Sequence, residues 1–161
     1  MLQPHERDWW DAWNLWNALN QGLQPQPLPP PVQLDPGELC YAIEPCEVRR
    51  FDGVRLAFGS SEGHAAAAQW RSIDNGTAVL TQYRVLMLGR VGPQTFGMPT
   101  VTRMWTEHDG IVLAYGEEQY KLCTPRPTWF DVLINQVAFN RRMDLVVPTF
   151  VTAAWRRAGL V

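Results

Sequence analysis

"TVTRMWTEHDGIVLAYGEEQYKLCTPRPTWFDVLINQVAF", residues 100–139, decides the fold. Its first part breaks into short runs of alternating polarity, 100–107, 111–116 and 118–124, separated by turn residues. That pattern belongs to antiparallel β structure with one face buried. From Thr124 the apolar repeat lengthens: Trp129, Val132, Leu133, Gln136 and Phe139 (or Val137) fall at helical spacing. The segment 124–142 therefore reads as a helix, with Thr128 as its N-cap and Trp129, Leu133 and Phe139 laid on the sheet.

Working toward the N-terminus, the same strand texture continues back to about Asp35. The expected strands are 38–44, 46–51, 54–58 (after Asp52-Gly53), 77–82, 84–90 and 95–99. Asp74-Asn75-Gly76 and His108-Asp109-Gly110 read as tight hairpin turns that use positive φ. Residues 59–73 read as a loop with a helical turn at Ala65 to Ala68, entering a strand that contains Trp70. Toward the C-terminus, Pro148 to Ala158 reads as a short helix ended by Gly159, with Arg156 and Arg157 complementing its dipole.

Ahead of the strands lie two segments of different character. Residues 6–21, "ERDWWDAWNLWNALNQ", read as a helix stopped at Gly22. Trp9, Trp13 and Trp16 fall on one stripe at i, i+4 and i+7, widened by Trp10. Residues 25–34 are proline-rich and read as an extended spacer; Pro27 and Pro30 also form a P-x-x-P pattern of the kind aromatic grooves recognise. The organisation expected is a Trp-rich helix (1–24), a proline-rich linker (25–34), a β domain closed by a helix (35–142) and a helical tail (143–161).

Composition narrows the function. A chain of 161 residues is long enough for a buried core without covalent staples. A net charge of -2 argues against nucleic acid as the partner and against general attraction to an anionic bilayer. Cys40, Cys46 and Cys123 cannot all pair and have no C-x-x-C spacing, so reduced, buried thiols in a cytoplasmic protein are expected. The N-terminus lacks the basic start and apolar run of a secretion signal.

The stretches "GELCYAIEPCEVRRF" (37–51), "AAAAQWRSIDNGTAVLTQYRVLMLG" (65–89) and residues 109–139 together resemble a bacterial pleckstrin-homology-like, GRAM-like domain of an uncharacterised group. The matching positions are Glu38, Gly76, Leu80, Thr81, Arg84, Val85 and Leu86. The resemblance implies an α+β fold: a PH-like antiparallel β-barrel of about seven strands capped by a C-terminal helix, here preceded by the Trp-rich helix. It implies a bacterial or phage protein, and a lipid-headgroup site at Arg49, Arg50 and Arg55, although Glu44, Glu47 and Asp52 interleave with these bases. "TQYRV" departs from the family turn, so Thr81 and Arg84 read as a hydrogen-bonded hairpin in which Arg84 pairs with an acid.

Chemistry is not announced. There is no nucleophile elbow and no phosphate cradle, and His5, His64 and His108 are scattered without convergent partners. No cofactor, metal or enzymatic activity is expected. The residues favour a scaffold or adaptor that binds a protein partner or a second copy through Trp9, Trp10, Trp13 and Trp16, the groove beside helix 128–142, or both. Interfacial aromatics of this kind dominate protein contacts. A peripheral membrane module using the three arginines is the first alternative. A small ligand-binding or hydrolytic domain without a recognisable motif is the second.

Overall fold

The computed structural model describes residues 1–53 and 69–161. The elements run α1 (Pro4–Asn20), β1 (Cys40–Phe51), β2 (Trp70–Thr81), β3 (Arg84–Gly89), β4 (Pro93–Gly97), β5 (Arg103–Glu107), β6 (Gly110–Tyr115), β7 (Glu118–Cys123), α2 (Pro127–Phe139) and α3 (Thr149–Arg157). The expected strand 54–58, the helical turn at Ala65 to Ala68, Arg55 and His64 lie outside the described residues.

The fold is α+β. Seven antiparallel strands form one open sheet in the order β4-β3-β2-β1-β7-β6-β5, consistent with a PH-like barrel of seven strands followed by a helix. β1 is the hinge of the arrangement, pairing with β2 along nearly its whole length and with β7 over Glu47–Arg50. The two ends of the sheet, β4 and β5, do not pair with each other. The inner face closes on one core that includes Val48, Leu80, Val85, Met87, Phe96, Ile111, Leu113 and Leu122. From α2, Phe130, Leu133 and Ile134 complete it, with Trp129 and Phe139 partly buried at its margin.

Three local expectations are corrected. The two strands expected within 38–51 are one, Cys40–Phe51, and Pro45 sits inside it. A missing backbone donor is tolerated there because β7 pairs only with Glu47–Arg50 and leaves that side of Pro45 unpaired. Asp74-Asn75-Gly76 is not a turn but lies in the middle of β2, opposite Val48, Glu47 and Cys46 on β1. Its glycine serves close approach: a Cβ on Gly76 would stand 2.0 Å from the Leu88 carbonyl oxygen. His108 and Asp109 do turn the chain between β5 and β6, but without positive φ; Gly110 is required because a Cβ would stand 2.6 Å from the Leu122 carbonyl oxygen.

α2 is apolar on two sides because it is covered twice. Its sheet side enters the main core, and its outer side, through Val132 and Trp129, meets Ala12, Leu15, Trp16 and Leu19 of α1. Thr128 is not its N-cap. The cap position is Arg126, with Pro127 at the first helical position. Asn140, in the left-handed region at φ 47°, ends the helix, and the Arg141 N–H reaches back to the Asn135 carbonyl at 3.0 Å.

Candidate functional site

The tryptophans of α1 are divided among separate tasks. Along this helix Asp8, Ala12 and Leu19 are the buried positions, and the indoles flank that ridge half-buried. Trp10 and Trp13 stack at 5.5 Å between ring centroids, and both meet Trp155 of α3, at 5.1 and 5.9 Å. Trp16 donates its indole N–H to the Met143 carbonyl at 2.8 Å, and Trp155 donates to the Glu6 carbonyl at 3.2 Å. Trp9 stands apart, beside His5 and Phe150.

What locks α1 in place is Asp8. Its two carboxylate oxygens accept the Thr128 and Trp129 backbone N–H groups, each at 2.9 Å. These donors belong to the first turn of α2, which has no acceptor of its own there. A carboxylate at a helix N-terminus is also favoured by the helix dipole. Burial dominates the balance and holds the Asp8 carboxyl above its ordinary range, opposed by these hydrogen bonds. Beside it, Arg126 stacks on Trp129 at 3.9 Å and pairs with Glu44 of β1 and with Asp11 of α1.

The two described arginines of the expected headgroup site do not share a surface. Arg49 and Arg50 are consecutive in β1, so they project to opposite faces. Arg49 is on the outer face, held by both Glu47 oxygens at 3.1 Å and by Asp109 at 3.2 Å. The neighbouring Lys121 is buried, pairs with Glu107 at 2.7 Å and Asp109 at 3.1 Å, and lies over the Trp70 ring. Arg50 projects to the inner side, pairs with Glu118 at 3.3 Å and lies over Tyr120 at 5.9 Å.

Three of the positions singled out in the sequence, Glu38, Thr81 and Arg84, form a structural knot at the β2–β3 turn. Glu38 is buried and receives the Thr81 hydroxyl at 2.8 Å and two Arg84 guanidinium bonds at 2.8 and 2.9 Å. Thr81 accepts the Tyr83 and Arg84 backbone N–H groups in turn. The Arg84 guanidinium, outweighing burial, lowers the Glu38 carboxyl to about 2. This is the hydrogen-bonded hairpin expected of Thr81 and Arg84.

A hollow lies at the open seam of the sheet. β4 stands on one side and the β6–β7 hairpin on the other, leaving a cleft of about 480 Å³. Phe96, Tyr115 and Tyr120 wall it, with Gln94 and Thr95 on the edge strand and Glu118 at the rim. The rings meet edge to face, Phe96 with Tyr120 at 5.3 Å and Tyr115 with Tyr120 at 6.3 Å. Tyr115 ties the seam by donating to the Gly97 carbonyl at 3.1 Å, and burial pushes its hydroxyl up to about 12. Among the described residues the Gln94 amide oxygen is buried with no donor facing it.

A second hollow of about 320 Å³ is lined by Trp9, Thr106, Glu107 and Phe150 together with His5 and His108, and α2 borders it through Thr128. The structure thus brings two histidines toward one hollow, but no group of three metal-binding side chains forms among the described residues. Burial raises the thiols of Cys46, to about 12, and Cys123, to about 11, so both stay protonated and weakly nucleophilic. No described helix is long and apolar enough to cross a membrane.

The cleft residues escape a linear reading. Phe96, Tyr115 and Tyr120 each occupy an ordinary apolar position in a short strand, and only the folding-over of the sheet gathers them. The one local signal is the pair of tyrosines, Tyr115 and Tyr120, placed on either side of Gly116-Glu117. Comparison with protein-family models, with curated proteins and with solved structures finds no match for this chain.

Proposed function

We propose that this chain is a non-enzymatic interaction module that takes an extended segment of a protein partner along the open edge of β4, with a side chain of that segment seated in the aromatic cleft. One observation carries the reading: among the described residues the sheet ends at β4 with an unpaired edge, and beside that edge lies the aromatic cleft. An edge strand offers backbone donors and acceptors to an added strand, and an adjoining pocket lends that addition side-chain selectivity. The buried Gln94 amide oxygen favours a segment that brings a hydrogen-bond donor into the cleft.

In this proposal the Trp helix acts as a wall of the module, since its indoles already serve α2, α3 and the Met143 carbonyl. The membrane alternative gains no support from Arg49 and Arg50, which point to opposite faces and are each ion-paired.

A photo-crosslinking residue placed at the exposed Thr95 tests the proposal in lysate, with a second one at Asp144 as control. A defined protein is captured from Thr95 and not from Asp144, and Thr100→Arg in the cleft abolishes the capture. Equal capture from both positions, or capture insensitive to Thr100→Arg, refutes it.

A further inference from the structure

The proline-rich segment is not a free spacer. Its N-terminal end is fixed to α1, where Gly22 at φ +94° lets the Leu23 N–H return to the Ala18 carbonyl at 2.9 Å. Its middle is fixed to the sheet, where the Leu28 N–H donates to the Cys40 carbonyl at 2.7 Å. Its C-terminal end is fixed by Val32 and Leu34, which pack on Cys40, Val79 and Leu86 across the outer face of the sheet. Between these anchors Pro27, Leu28, Pro29, Pro30 and Pro31 are all exposed.

We propose that Pro27–Pro31 is a pre-organised ridge for a partner domain of the SH3 or WW class, whose groove is lined by aromatic side chains.

Three features of the ridge match such a groove. A polyproline II helix turns once in three residues, so in that conformation Pro27 and Pro30 fall on one apolar rib, ahead of the bend at Pro31 and Val32. Of these five residues only Leu28 has a backbone N–H, and Cys40 already holds it. The ridge therefore shows its partner proline rings and carbonyl oxygens but no free donor, which suits tryptophan and tyrosine, flat apolar bodies that each carry a donor. The anchors also remove in advance the conformational freedom that a loose proline peptide loses on binding. The ridge lies on the outer face and shares no residue with the cleft at the β4 seam.

The test compares three ligands for a purified SH3 domain and a purified WW domain by calorimetric titration: the full chain, the full chain carrying Pro27→Ala and Pro30→Ala, and a synthetic peptide of residues 23–34. At least one domain binds the full chain, about tenfold tighter than it binds the flexible peptide. The double variant, with an unchanged thermal melt, loses at least that factor. The proposal is overturned if neither domain binds the full chain, if the peptide binds as well as or better than the chain, or if the double variant still binds. Should the double variant melt early, Leu28→Asp, which keeps the backbone bond to Cys40 and puts a charge on the exposed ridge, takes its place under the same criteria.

Discussion

Replacing Asp8 with alanine removes the acceptor for two buried backbone donors, the Thr128 and Trp129 N–H groups, both now bonded at 2.9 Å. Asp8 is 3% exposed, so water does not replace it. Each buried donor left unmade costs about 1–3 kcal/mol, and the carboxylate's own desolvation is relieved in return, so the net loss is about 2–4 kcal/mol. With a urea slope of about 2 kcal/mol per molar, the unfolding midpoint falls by about 1–2 M. Asp8→Asn keeps one acceptor oxygen and loses about half as much.

The pH dependence has a definite sign. The Asp8 carboxyl is raised on folding, so its contribution is fully present below the unfolded value of 3.8 and is lost as pH rises through the folded one. The stability gap between the natural chain and Asp8→Asn is therefore wider at pH 4 than at pH 7. Urea titrations of the three proteins at both pH values decide the matter. Equal midpoints for Asp8→Ala and the natural chain would refute the interhelix cap, and a gap widest at pH 7 would show that the charged form, not the neutral one, is favoured at that site.

Glu38 carries the opposite sign: lowered from 4.5 to about 2, it supports the fold above pH 4.5 and loses that support as pH falls toward 2. The difference is worth about 3 kcal/mol, and acid unfolding of Glu38→Gln should lack that part of the decline. Gly76→Ala forces a methyl onto the Leu88 carbonyl and the Gly89 backbone, at 2.0 and 2.9 Å, and costs about 4 kcal/mol or more, visible as loss of a cooperative thermal transition. Deleting residues 1–24 strips the Asp8 cap together with buried Ala12 and Leu19, so it lowers the melting temperature more than Asp8→Ala does. A truncated chain that melts like the natural one would make α1 a separable arm.

Much of this architecture was legible locally. The change of apolar period near Thr124 marks where strands yield to a helix, and the indole spacing marks α1. The burial of Asp8 on that helix was not legible, because its partners lie 120 positions away. Asp74-Asn75-Gly76 misleads for a related reason. The tripeptide has turn chemistry, but the approach of β3 to Gly76 and the Arg90 N–H donated to Asp74 at 2.9 Å use the same residues inside a strand. The cleft and the division of Arg49 from Arg50 follow from how the sheet folds over and from strand alternation at a register fixed by distant pairing. The anchoring of the proline segment depends likewise on Cys40, Val79 and Leu86, which no local pattern connects to Val32 and Leu34.

The bond from Asp8 to Thr128 also sets an order of events during synthesis. α1 leaves the ribosome before the sheet and α2, and the backbone groups it must cap are made 120 residues later. At roughly 5–20 residues per second that is an interval of about 6–24 s. Throughout it, the nascent chain displays a tryptophan-studded helix without α2, α3 or the Met143 carbonyl to receive it. Docking of that helix therefore waits for α2 and α3, although α1 is made well before either.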